Sequence, residues 1–152
     1  MDVRLKRAYE PAAPTDGYRV LIDRLWPRGV SRDRAKLDGW EKELSPSPEL
    51  RQWFGHEPRR FEEFRRRYIE ELHGKRPRLT ALRRRARQGT LTLVYSAQDT
   101  EHNDAVVLAG GVLAAVRAEV VGSSRAERLR AVERLLERWP EWAPTVTSVR
   151  SR

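Results

Sequence analysis

The sequence predicts an α/β fold: a small, mostly parallel sheet of about four strands with flanking helices, plus a C-terminal helical extension. Three observations carry that expectation. Val20–Ile22 and Leu91–Tyr95 are short apolar runs of the kind that form buried strands. Turn residues precede both, Asp16-Gly17 before the first and Gly89 before the second. Between and after them, apolar residues recur at helical spacing. The chain of 152 residues is expected to form one domain over 1–120, followed by an amphipathic helix and tail over 121–152.

Taken in order, Val3 and Leu5 alternate with Arg4 and Lys6, a first strand with one polar face. Pro11 and Pro14 mark a loop before the strand at Tyr18 to Asp23. A short helix is expected from Ser31 to Lys36, then an extended segment from Leu37 to Leu44 around Trp40. Ser47 can cap a helix that has Pro48 at its first position and stops near Gly55. Glu57-Pro58 opens the next helix, whose apolar arc is Phe61, Phe64, Tyr68, Ile69 and Leu72. Arg65 falls inside that arc, so it either snorkels past the rim or reaches a buried anion. Leu79 to Gln88 forms a further helix with Leu79, Leu82 and Ala86 inward.

After the strand Leu91–Tyr95, the loop Ser96–Glu101 leads into an apolar helix starting near His102. Its inward face is expected to carry Ala105, Val106, Ala109, Leu113, Val116 and Val120. Gly110-Gly111 inside it costs about 1 kcal/mol per glycine, so a kink or a close helix–sheet contact is expected there. The final helix opens on a capping box, Ser124 to Glu127, and carries Leu129, Val132, Leu135, Leu136 and Trp139. It docks on its own domain or on a second subunit, so the protein is a monomer or a homodimer.

Composition removes whole classes of function. The absence of cysteine excludes disulfides, thiolate nucleophiles and cysteine-type zinc sites. No apolar leader opens the chain and no run of apolar residues is long enough to span a bilayer, so a cytoplasmic protein with no membrane partner is expected. The formal net charge of +9 comes from 27 Arg and 4 Lys against 22 acidic residues. Pro58 to Gly89 alone holds 12 basic and 4 acidic residues. That block is either a solvated helix face or a field that attracts phosphates.

No glycine-rich phosphate loop, nucleophile elbow or H-E-x-x-H motif is present. His56, His73 and His102 lack metal-ligand spacing, and neither metal nor cofactor is expected. What remains are two strand exits that share one edge if the sheet is parallel. One supplies Asp23, Arg24, Trp26 and Arg28; the other supplies Ser96, Asp99, His102 and Asn103. Arginine forks suit phosphate or carboxylate. His102 titrates near neutrality and can act as acid or base, oriented by Asp99 or Asp23. The structural alternatives stay open: Asp99 as a helix cap, His102 hydrogen-bonded internally, Arg24 paired with Asp23. A third cluster, Trp53-Phe54-Gly55-His56, can wall a ring-binding pocket or belong to the core.

These pieces together resemble a known family. Lys6-Arg7-Ala8-Tyr9, the run from Asp16 to Gly29, Ser45-Pro46-Ser47 with Leu50-Arg51, Trp53 to Pro58, and Tyr95-Ser96-Ala97 continuing to His102–Leu108 are similar to domain of unknown function 488, of the YeaO-like kind. The resemblance runs from Val3 into the apolar helix that follows His102, and it implies a compact α/β fold without bringing a settled activity. Glu57 departs from the aspartate usual there, a weaker helix cap, and the region after Val120 lies outside the pattern.

The expectation for function is a pocket for a small anionic, phosphorylated or nucleotide-like molecule. Arg24, Arg28, Arg65 and His102 are expected to converge on it, with Trp26 or Trp53 packing a ring and Asp23, Asp99 and His102 moving protons in a hydrolase or transferase. The alternative is weak, non-specific nucleic-acid binding through the basic helices, although no helix-turn-helix or wing is visible.

Overall fold

The computed structural model describes residues 2–120. The helix expected from Ser124 to Trp139, and its docking, lie outside the described residues. Four strands, β1 (Asp2–Arg7), β2 (Tyr18–Leu21), β3 (Gly39–Trp40) and β4 (Thr90–Tyr95), form one sheet in the order β1-β4-β2-β3. All three pairings are parallel, with Leu5 and Val20 both opposite Leu93. Among the described residues five helices surround it: α1 (Arg32–Ala35), α2 (Pro48–Phe54), α3 (Phe61–His73), α4 (Arg76–Gln88) and α5 (Asp104–Val120). The expected α/β class is observed.

β4 is central because its residues from Leu91 to Tyr95 are all buried, on both faces of the strand. Leu91, Leu93 and Tyr95 face the larger core, with Val20, Ile22 and the inner faces of α2 to α5. Val94 points the other way, onto Ala8 and Leu21, where Trp26, Leu37 and Trp40 close a smaller cluster. Thr92 is fully buried in the strand, and its hydroxyl donates to the Asp16 carbonyl at 2.6 Å. Burying it therefore leaves no unmet hydrogen bond.

The loop between β1 and β2 is pinned by a buried charge cluster. Asp16 accepts from Arg19 Nη1 at 2.6 Å, from Lys6 Nζ at 3.1 Å and from the Ala13 amide at 3.0 Å. Arg19 uses its remaining donors on the Ala35 carbonyl. Gly17 completes the turn at φ 63°, where a β-carbon would collide with the Thr90 carbonyl. Only glycine fits there.

Several boundaries differ from expectation for identifiable reasons. β2 ends at Leu21, but the Ile22 amide still donates to the Val94 carbonyl at 3.1 Å, so the chain stays in register to the sheet edge. The expected extended segment Leu37–Leu44 contracts to β3, followed by a 3₁₀ turn over Lys42–Leu44. Pro58–Arg60 is likewise a 3₁₀ turn, and Glu57 makes no side-chain cap. α4 begins at Arg76 because Pro77 is at home in a first turn. The inward face of α5 is Ala105, Leu108, Ala109 and Val112, with Val106 and Leu113 only half-buried. That helix is apolar nearly all round, so spacing alone does not fix its orientation. A β-carbon on Gly110 would meet nothing within 4 Å, so no close contact explains that glycine.

Candidate functional site

Because the sheet is parallel, the exits of β2 and β4 open on one edge, where ligands of open α/β sheets bind. They are tied together directly. The Ser96 amide donates to Asp23 Oδ2 at 2.9 Å and the Ser96 hydroxyl to the same oxygen at 2.5 Å. The Asp23 carbonyl also accepts from Trp40 Nε1 at 2.7 Å, which fixes the backbone from the other side of the sheet.

A cavity of about 990 Å³ lies over this junction. Its walls include Asp23 and Arg24 just beyond β2, Ser96, Ala97, Gln98 and Asp99 from the loop after β4, and Asn103 and Asp104 at the start of α5. Ser45, Pro46, Pro48, Arg51 and Gln52 add the α2 side, while Phe54, Phe64 and His56 supply rings. Phe54 and Phe64 are stacked at 4.3 Å between centroids. α2 owes its position to Ser47, whose hydroxyl caps the Leu50 amide, and to Gly55, which ends it at φ 55°. His56 follows at φ 57°, a left-handed conformation that is costly for a side chain with a β-carbon.

Electrostatically the cavity is unusual. Burial pushes the Asp23 carboxyl above its ordinary range despite the two Ser96 hydrogen bonds and the nearby Arg51 and His56 charges. Burial, and then the Asp23 charge, raise Asp104 to about 7. Burial thus favours the protonated form of both carboxyls, and the Asp23 charge adds to the effect at Asp104. Asp104 Oδ1 accepts from the Ala105 amide at 3.0 Å, and Asp23 Oδ2 is taken by Ser96. Arg24 Nε is buried and has no acceptor among the described residues.

The structure brings Asp23, Arg24, His56, Ser96, Asp99 and Asn103 to this cavity and leaves the other expected site residues elsewhere. Asp99 organises its own turn: Oδ1 accepts from the Glu101 and His102 amides, and Oδ2 lies 3.0 Å from His102 Nδ1. Those amide bonds hold its carboxyl below the ordinary value. His102 stands behind Asp99, edge-on to the Phe61 ring at 5.2 Å. Asn103 caps α5, accepting from the Val106 amide at 3.0 Å. Trp26 packs edge-on against Trp40 on the opposite face of the sheet, beside a smaller cavity of about 240 Å³. Arg28 is exposed on the loop that follows β2. Trp53 carries the Arg60 and Arg67 guanidiniums over its ring, at 5.6 and 4.4 Å. Arg65 reaches Glu62 at 3.1 Å.

The family model for the inactive DUF488-N3 subclade matches residues 2–128. The chain belongs to the YeaO-like DUF488 family. It is 45% identical to uncharacterized protein YeaO of Escherichia coli K12 over 109 residues, which are 72% of this chain and 95% of that protein. It is 43% identical over 107 residues to uncharacterized protein Mb3100c of Mycobacterium bovis, covering 70% of this chain and 90% of that one. Uncharacterized protein Rv3073c of Mycobacterium tuberculosis H37Rv matches to the same extent. No solved structure matches the chain.

Two wall residues of this YeaO-like domain were not singled out from the sequence as site residues. Asp104 sits at the first position of an apolar helix, where a carboxylate is ordinarily a partner for the helix dipole. Arg51 does carry a signal. Pro48, Arg51 and Gln52 fall at i, i+3 and i+4 on α2, one face of the helix, and all three line the cavity. Among the described residues no group of three or more His, Asp or Glu side chains is arranged to hold a metal, and no helix is long and apolar enough to cross a membrane.

Proposed function

We propose that this cavity binds a small anionic, phosphorylated molecule, and that its work is recognition rather than turnover. The observation that carries the reading is Arg24, whose Nε is buried at the cavity with no acceptor, while Arg51 stands on the same wall. A buried guanidinium donor left unmet is costly, and an anionic oxygen satisfies it. The three aspartates on the wall do not cancel this attraction. Asp99 is engaged by the amides of its own turn, and Asp104, raised to about 7, is about half protonated at neutrality. Arg24 and Arg51 therefore share a wall on which burial holds back the charge of both Asp23 and Asp104.

The cavity volume suits a molecule of nucleotide size. A binding role also agrees with the description of the matched subclade as inactive. The basic helices give nucleic-acid binding less support, because Arg65, Arg66, Arg67 and Arg78 are each paired with a glutamate. Calorimetry with ribose 5-phosphate is expected to show saturable one-to-one binding that Arg24→Met weakens at least about tenfold. Release of inorganic phosphate on prolonged incubation, seen by phosphorus NMR, would contradict the recognition role. Absence of any binding to the wild-type protein would remove the proposal altogether.

A further inference from the structure

We infer that the anion held in this cavity is a terminal phosphate monoester, and that His56 selects it by donating to its third free oxygen beside Arg24 and Arg51. The inference rests on the binding role proposed for the same cavity and deepens it by naming the phosphate class and the residue that selects it.

The first support is the backbone at His56. Gly55 and His56 have φ of 55° and 57°, and across them the Glu57 amide donates to the Phe54 carbonyl at 3.0 Å. A tight turn with two left-handed central residues is the type I′ arrangement, which glycine, asparagine and aspartate dominate. Glycine meets that demand at the first position, but at the second a β-carbon makes it costly. Contacts of the side chain do little to offset that cost. Among the described residues the ring has a tilted contact with Phe54, 6.0 Å between centroids, and no hydrogen bond. What the turn does achieve is to bring the imidazole to the cavity wall. Strain of this kind clusters where ligands are held.

The second support is the set of groups that His56 joins. Arg24 lies just beyond β2, Arg51 on α2 and His56 on the turn after α2, so three segments bring nitrogen donors to one cavity. Among the described residues none of the three is in an ion pair, whereas Arg65, Arg66, Arg67 and Arg78 are each held by a glutamate. Asp23 does not take the place of a ligand for them. Its Oδ2 accepts from Ser96, and no cation of the described residues lies within ion-pair distance of it. The Arg51 and His56 charges nevertheless act on that carboxyl, which gathers both groups beside Arg24 at the β2 end of the cavity. A phosphate monoester has a free oxygen for each of three such donors, and a diester lacks one of them. Imidazole offers an N–H in either protonation state, so the role does not depend on its charge.

The test is calorimetry on the full chain with ribose 5-phosphate and its methyl phosphodiester, alongside thermal unfolding without ligand. The wild-type protein is expected to bind the monoester at least about tenfold more tightly than the diester. In His56→Gly and His56→Asn the monoester is expected to weaken at least about tenfold, and the gap between the two esters to shrink to within about threefold. Glycine and asparagine both accept a left-handed backbone, so neither variant is expected to unfold at a lower temperature than the wild type. A lower unfolding temperature in both variants would make His56 a support of the turn and overturn the inference. Monoester affinity within about twofold of wild type in the variants also overturns it, as does a gap that survives in both or is missing from the wild type. Each of these results leaves the anion site in place. Failure of the wild-type protein to bind either ester overturns instead the anion reading on which the inference rests.

Discussion

Replacing Asp16 by asparagine is expected to destabilise the domain by about 3–5 kcal/mol, measured by urea denaturation at neutral pH. The carboxylate is the common anion for Lys6 and Arg19, and the side chains of Asp16 and Arg19 are only 5% and 4% exposed. Removing the charge leaves a buried guanidinium compensated only by the Ala35 carbonyl. It also weakens the hold on the Ala13 amide that closes the turn into β2. The pH dependence has a definite sign. Burial acts to raise the Asp16 carboxyl, but the Ala13, Lys6 and Arg19 hydrogen bonds outweigh it, so its value in the folded protein is depressed. A depressed carboxyl contributes stability above its unfolded value of about 3.9, and that contribution is lost as pH falls through the folded value. The asparagine variant is therefore expected to lose part of the acid limb as well as overall stability. A loss under about 1 kcal/mol would mean that the cluster is a consequence of the turn and not its support.

The same cluster shows what in the fold was legible. β4 and β2 could be read because an apolar run bounded by turn residues has few alternatives in a chain of this size. α2 was placed closely because Ser47, Pro48 and Gly55 mark its ends by backbone chemistry that does not depend on the rest of the fold. α5 is legible as a helix, and Ala105 and Ala109 face inward as expected while Val106 and Leu113 do not. Its apolar residues surround the axis, and only packing against α4 and β1 selects Leu108 and Val112 over Val106 and Leu113. β3 was overextended because two residues of pairing are set by its neighbour β2 and not by local pattern. The Asp16–Arg19 pair was invisible because each residue alone reads as turn or surface chemistry.

The candidate site divides in the same way. Asp23, Arg24 and Ser96 could be placed together because parallel strands put their exits on one edge. Trp26 and Arg28 sit only a few residues further on, but the chain turns there, and Trp26 goes to the far face with its indole donating to the Val30 carbonyl at 2.6 Å. Sequence proximity thus gave no guide to them. Asp104 and Arg51 join the site through the packing of α5 and α2 over the sheet edge, a tertiary arrangement that no local spacing encodes.

Asp104→Asn is expected to change the pH dependence of stability more than any other single substitution at the cavity. Asp104 is raised to about 7 by burial and by the Asp23 charge, against about 3.9 in an unfolded chain. A raised carboxyl favours folding where it is protonated, so its contribution fades as pH rises from the unfolded value through the folded one. The wild-type protein should consequently lose about 2 kcal/mol of stability between about pH 5 and pH 8 from this group, with Asp23 acting in the same direction. His73 opposes the trend, because burial lowers its value and its contribution grows as pH rises. The measurement is therefore the difference between variant and wild type at each pH, in which His73 and the strongly acidic groups cancel. Asparagine cannot ionise, so the variant should gain on the wild type by about 2 kcal/mol over that interval. A difference that stays constant from pH 5 to pH 8 would show that Asp104 is already ionised in the folded protein.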